Sequence, residues 1–221
     1  LRRWQKRGMS RPYAEQHLEE SFAIVGEQLD RLEATVGRES MDVVEFCKSL
    51  VYRQLGITMV GEAPEELRKD YGTIVDAVIN AVRFPSTRHL PLSRRLRRAY
   101  GRVESFTTKL IERRLGASPT KEDPLFVDDM LSGMESGLCG RGDLPSLLLG
   151  PYLAGLDTLA HSLAFALWAL SSHDEARERV VSDIDEFWAE MPSAKVLRDA
   201  PSLRGAAMES MRLYPISPGQ L

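Results

Sequence analysis

Cysteine is nearly absent: Cys47 and Cys139 are the only two among 221 residues. So few, so far apart, they exclude a disulfide framework and a CxxC metal site. Histidine is scarce too, four in all, with no pair at the helical spacing that would ligate a metal. Neither sign of charge prevails; a formal net charge of -3 and a pI near 5.9 leave no electrostatic case for nucleic acid as a partner. Alternation of period two, internal repeats and low-complexity tracts are all lacking. The first residue is Leu1 and not Met, so the lack of a targeting segment excludes nothing, an N-terminal membrane anchor included. A cytoplasmic location is the expectation.

A further absence organises the chain. Over 144–170 the only charged side chain is Asp157. Leu147, Leu149, Leu153, Leu156, Leu159, Leu163, Leu167 and Leu170 point to every side of a helix. The pattern predicts a cylinder of roughly 40 Å, buried all round in a core or in a bilayer. Asp143 suits its N-cap and Pro145 its first turn. Gly150-Pro151, an acid at mid-depth, His161-Ser162 and the lack of basic flanks beyond Arg141 favour a core helix over a membrane span.

The centre of this helix reads Ala154-Gly155-Leu156-Asp157-Thr158. Ala154 and Gly155 remove side-chain bulk for one turn, which lets something flat approach the backbone. Thr158 can turn its hydroxyl onto the Ala154 carbonyl and bend or open the helix. An acid and an alcohol at such a defect can pass protons when burial tunes the acid. A satisfied polar pair at a kink fits these five residues equally well.

The remaining segments are helical in period. Leu18, Phe22, Val25, Leu29, Leu32 and Val36 mark an amphipathic helix closing near Gly37. Val44, Cys47, Val51 and Leu55 mark the next, ending by Gly61, with Cys47 as an ordinary core thiol. Pro64 with Glu65 and Glu66 opens a third, through Leu67, Tyr71, Ile74, Val78 and Val82. A two-proline connection from Phe84 to Pro91 leads into Arg94, Arg95, Arg97 and Arg98. That basic run suits a membrane surface or nucleic acid or, more commonly, a solvated helix face. Its helix continues to Gly116.

Asp123-Pro124 caps a short helix carrying Asp128-Asp129, and Arg141-Gly142-Asp143 spells an adhesion tripeptide whose acid already has a capping task. Helices follow from Asp174 to Trp188 and from Asp199-Ala200-Pro201 to Tyr214, where Pro215 forces an exit. In the last, Glu209 and Arg212 are three apart and face one another. Seven to nine helices and no convincing strand define an all-α class.

Two motifs together carry a resemblance. Ala154-Gly155-Leu156-Asp157-Thr158 in a long apolar helix, followed by Glu209-Ser210-Met211-Arg212-Leu213-Tyr214-Pro215, resembles a cytochrome P450. The first is similar to that family's oxygen-binding helix I pattern (A/G-G-x-D/E-T), the second to the Glu-x-x-Arg of its helix K with its aromatic–proline sequel. The resemblance covers the whole chain, 1–221, as one incomplete domain running from about helix C to helix K. Phe84 to Pro91 then falls at the substrate-lid loop between helices F and G.

What the resemblance implies is a heme-dependent monooxygenase that activates O₂ and inserts one oxygen atom into a small hydrophobic organic substrate. Its electrons would come from a ferredoxin or a flavoprotein reductase. It implies Asp157 and Thr158 as the proton-relay acid and the hydroxyl facing dioxygen, and Ala154 and Gly155 as lining of the porphyrin's distal side. Arg2 is implied on a heme propionate, and Glu209 with Arg212 as the pair holding the proximal core. Neither cysteine fits the family's Phe-x-x-Gly-x-x-x-Cys loop. Cys139 has Ser132 and Glu135 at the Phe and Gly positions, and Cys47 has Ser40 and Val43. The axial thiolate that pushes electron density onto the iron, an example the family itself supplies, therefore lies outside this chain. Leu159 departs from the second Thr or Ser often found in the helix I pattern. Two rival readings are a helical binding or regulatory domain, with Asp157 a satisfied core acid, and an isoprenoid synthase using Asp128 and Asp129 for Mg²⁺. Against the synthase, Ser132 stands where a third acid belongs.

Overall fold

The computed structural model describes residues 10–34, 40–86, 91–116, 124–187 and 200–216. Among them are α1 Arg11–Gln16, α2 Leu18–Glu33, α3 Val43–Leu55, α4 Arg68–Arg83, α5 Arg94–Gly116, α6 Phe126–Glu135, α7 Leu144–Ser172, α8 Asp174–Phe187 and α9 Pro201–Leu213. No strand occurs among the described residues. The expected all-α class is the class observed. Arg2, Val36, Gly37, Asp123, Trp188 and Asp199 lie outside the described residues.

The chain divides into two compact units, Leu1–Ala14 with Val51–Asp157, and Glu15–Leu50 with Thr158–Leu221. In the first, a core of Tyr13, Val60, Leu110, Ile111, Phe126, Val127, Met130, Leu131, Leu144 and Leu148 joins α1, α5, α6 and the start of α7. Each such side chain contributes roughly 1.5–3 kcal/mol when fully removed from water. On α5 the buried positions Ala99, Val103, Thr107, Leu110 and Ile111 recur at spacings of three, four and one, while Arg94, Arg95, Arg97 and Arg98 are exposed. The arginines thus stand on the solvated side.

A segment the periodicity missed lies between α3 and Gly61. Gly56–Val60 is a π turn that continues α3 directly. Thr58 donates its hydroxyl to the Gln54 carbonyl at 2.6 Å, and Gly61 ends the turn at φ 88, where only glycine is unstrained. Tyr13 is fully enclosed here. Its hydroxyl donates to the Thr58 carbonyl at 2.5 Å and accepts the Phe126 N–H at 2.9 Å, so one side chain joins α1, the π turn and the start of α6. A second cluster joins α3, α4 and α7. Ring centroids of Tyr71 and Tyr152 are 4.1 Å apart, and Tyr52 lies 5.5 and 5.9 Å from them. Burial drives all three phenol pKa values up, so these rings stay neutral.

Local caps differ from expectation in two places. The α6 cap is made at Leu125, whose N–H donates to Asp128 Oδ2 at 2.9 Å, because the acid at the third helical position can reach back one turn. Asp143 is not the N-cap of α7. It closes a 3₁₀ turn, Arg141–Asp143, and accepts the Gly140 N–H at 2.9 Å.

The second unit contains α2, the first part of α3, the latter part of α7, and the pair α8 and α9. Asp42 opens α3 by accepting the Val44 and Glu45 N–H groups at 2.9 and 3.1 Å. Ala200 and Val180 are buried. Asp183 of α8 accepts the Ser202 N–H at 2.6 Å and so caps α9 from outside its own sequence. Pro201 occupies the first turn of α9, and the helix ends at Leu213, ahead of Pro215.

Candidate functional site

α7 is uninterrupted over 29 residues despite Pro151, and Thr158 does not break it. The expectation that it would be buried all round is corrected by the structure. Leu144, Leu148, Leu149, Tyr152, Leu156, Ala160 and Ala164 are buried, but Leu159 is 53%, Trp168 52%, Leu167 42% and Phe165 37% exposed. An apolar composition fixes that a helix wants cover on each side. It does not supply the cover, and the described residues cover one side. With the turn before it, Arg141–Ser172 is long and apolar enough to cross a membrane by length and composition alone, and 22% of its most apolar 18-residue stretch is buried.

Around the motif the two sides separate cleanly. Ala154 and Thr158, one turn apart, lie on the exposed face with Leu159. Gly155 and Leu156 lie on the buried one, and Asp157 is intermediate. Ala154, one turn from Thr158, adds little bulk to this exposed strip of α7.

On α9, Arg212 grips Glu209 through Nε to Oε2 at 2.8 Å and Nη2 to Oε1 at 2.6 Å. That side-chain hydrogen bonding holds the Glu209 carboxyl below, and the Arg212 guanidinium above, their ordinary pKa values. Both side chains are exposed.

Within the second unit an apolar groove of about 750 Å³ runs between α2, the start of α3 and the end of α7, with His161, Phe165 and Trp168 on its wall. Tyr214 closes one end. It stacks on Phe165 at 5.1 Å and meets Trp168 edge-on at 5.4 Å. The sequence reading missed this box, although the spacing of Phe165 and Trp168 on one helix face signalled it.

The rival metal site finds no support. Asp128 is taken up by the α6 cap and by Arg114 at 3.3 Å. No group of three or more His, Cys, Asp or Glu among the described residues could hold a metal ion. Cys47 is poorly placed to serve as a thiolate ligand. Cys47 is 0% exposed, and burial pushes its thiol pKa up, the opposite of what a ligand sulfur needs. The exposed strip at Ala154 and Thr158 leaves room for a flat group on that side of α7.

The profile of the family described as Cytochrome P450 matches residues 3–221. The human mitochondrial 25-hydroxyvitamin D-1 alpha hydroxylase is 32% identical over 135 residues, covering 57% of this chain and 27% of that protein. Cyclooctat-9-en-7-ol 5-monooxygenase of Streptomyces melanosporofaciens is 31% identical over 131 residues, covering 58% and 28%. Among solved structures, retinoic acid bound cyanobacterial CYP120A1 superposes with a TM-score of 0.80 at 19% identity, over 97% of this chain and 48% of that one. The cytochrome P450 CYP102L1 does so at 0.76 and 17%, over 97% and 50%. The helical fold is therefore that of these proteins, and the chain belongs to the cytochrome P450 family. It spans about half the length of the solved relatives.

Proposed function

We propose that this chain is the distal and central part of a heme-dependent monooxygenase. The observation that carries the reading is the Ala154-Gly155-Leu156-Asp157-Thr158 step on α7, with Ala154 and Thr158 turned to the open face, in a chain of this family. Heme, when bound, supplies the redox chemistry that activates O₂. Ala154 would leave room on that strip for the ring. Thr158 would present its hydroxyl to the reacting oxygen, and Asp157, half-buried beside it, would pass protons inward from solvent. Gly155 lets the helix pack tightly behind that strip, and Arg2 is proposed on a propionate.

Glu209 and Arg212 are proposed to brace the proximal core through their paired hydrogen bonds. The axial cysteine is proposed to come from outside this sequence, as is the cover for the exposed side of α7, and 1–221 is read as one partial domain. The relatives' names, a hydroxylase and a monooxygenase, support a small hydrophobic organic substrate, and an electron-donating ferredoxin or flavoprotein reductase is part of the proposal. A cytoplasmic location is part of the proposal. The human relative is named as mitochondrial, and cell fractionation decides between the two.

The test is a carbon monoxide difference spectrum of the reduced, intact protein. A heme-thiolate Soret band supports the reading. Intact, folded protein that takes up no heme overturns it.

A further inference from the structure

Tyr52, Tyr71 and Tyr152 make up half of the chain's six tyrosines. They come from α3, α4 and α7 to one point of the first unit, at 0%, 2% and 1% exposure. Phenylalanine would fill the same volume without burying a hydroxyl, and Phe126 does so in the same unit. Each buried hydroxyl must be matched, and the three are matched differently. Tyr52 donates to the Pro64 carbonyl at 2.8 Å and so ties α3 to the segment before α4. The hydroxyls of Tyr71 and Tyr152 hydrogen-bond to one another.

The Tyr71 and Tyr152 rings lie 4.1 Å apart at 30°, nearer to each other than either is to Tyr52. A tie between helices needs one hydroxyl and one acceptor, as at Tyr52 and Pro64. Two phenols in ring contact and hydrogen-bonded can do more. They can pass a hydrogen atom, the electron through the rings and the proton along the hydrogen bond. Tyr152 stands two residues before Ala154 on α7, on the packed side of that helix.

We infer that Tyr71 and Tyr152 form a one-electron redox pair that holds an oxidising equivalent in the core as a shared phenoxyl radical. One electron goes to an oxygen-centred radical, which becomes its anion, and one hydroxyl proton goes to water. A single hydrogen then remains between the two phenol oxygens. Exchange breaks the Tyr71 O–H bond as the Tyr152 O–H bond forms, and the reverse, with no further charge moved. An electron from a reductant such as ascorbate and a proton from water restore both phenols. Burial, which keeps the phenols neutral, also keeps the phenoxyl from water and small reductants. The pair lies within the first unit and needs no heme, so its failure leaves the monooxygenase reading untouched.

The experiment is pulse radiolysis of the intact protein with azide radicals as the one-electron oxidant and ascorbate present. Phenoxyl absorbance and EPR of frozen samples are the readouts. A long-lived, hydrogen-bonded phenoxyl signal is expected beside a short-lived one from exposed rings such as Tyr100. Tyr71→Phe and Tyr152→Phe should each abolish the long-lived signal. Tyr52→Phe should leave it, because that hydroxyl is matched by Pro64. Circular dichroism checks the helix content of all three. Should Tyr71→Phe or Tyr152→Phe lose helix, deuterium coupling to the phenoxyl of the parent protein exchanged into D₂O takes its place. Four results overturn the inference: no long-lived signal in the parent, a signal that survives either pair substitution, one lost with Tyr52→Phe, or a phenoxyl with no exchangeable hydrogen bonded to it.

Discussion

Glu209 and Arg212, one turn apart on α9, meet through two parallel hydrogen bonds at 2.8 and 2.6 Å while both side chains remain open to water. Exposed pairs of this kind contribute little to stability. Arg212→Lys, which keeps the charge and loses the fork, should leave the urea midpoint of the intact protein nearly unmoved while lowering its heme content. Heme content equal to the parent would remove the bracing role. The pH dependence has a definite sign. Arg212 lowers the Glu209 pKa in the folded state, so the pair's contribution is present above the ordinary Glu value and is lost as pH falls through the lowered one. A carboxyl ¹³C titration of Glu209 should show a midpoint below that of a peptide Glu, moving back toward it in high salt.

Thr158→Ala removes the hydroxyl from the open face of α7 and leaves its exposed backbone strip in place. In the intact enzyme the expected result is uncoupling, with less product per electron pair by roughly an order of magnitude or more. The missing turnover should appear as released peroxide. Product and peroxide yields matching the parent would take from Thr158 the role of presenting its hydroxyl to the reacting oxygen.

Tyr13→Phe deletes the donor to the Thr58 carbonyl and strands the Phe126 N–H in a buried site. The cost should be about 1–3 kcal/mol, read as a lower urea midpoint at unchanged m. A loss confined to a few tenths would mean that the π turn and α6 hold together without this bridge.

Gly56→Ala tests close packing at the π turn. A Cβ there would meet the Ala63 Cβ at 2.5 Å and the Glu62 carbonyl oxygen at 2.8 Å, and the clash should destabilise by about 1–3 kcal/mol. Gly26→Ala is the contrasting substitution. It lies inside α2 with nothing within 4 Å, so it should stabilise by about 0.5–1 kcal/mol. Equal effects at the two sites would contradict the packing described.

Cys47 and Cys139 should separate in thiol labelling. Cys47 is buried with a raised thiol pKa, whereas Cys139 is partly open. In the folded protein Cys139 should react first and Cys47 only on unfolding, as mass spectrometry of the alkylated protein would show.

Most helices were legible because their apolar period survives folding. The α5 stripe and the stop at Pro215 appear where the residues placed them. The π turn was not legible, since Gly56, Thr58 and Gly61 are ordinary helix-end residues until the Tyr13 hydroxyl and the glycine packing require that geometry. The Asp183 cap on Ser202 was invisible for a related reason, being made across 19 residues by a neighbouring helix. The motif on α7 was readable as letters, but which of its residues face outward was not.

The sequence by itself determined an all-α chain, an apolar central helix with one acid, and a Glu–Arg pair that meets within a single turn. All three are local, set by helical period and spacing. Tertiary structure alone decided that Ala154 and Thr158 face outward while Gly155 faces the packed side. It also decided that Tyr13 spans three elements and that the rings of Tyr71 and Tyr152 meet. Those outcomes depend on which surfaces meet, and a side chain's neighbours across space are fixed by packing and not by its position along the chain.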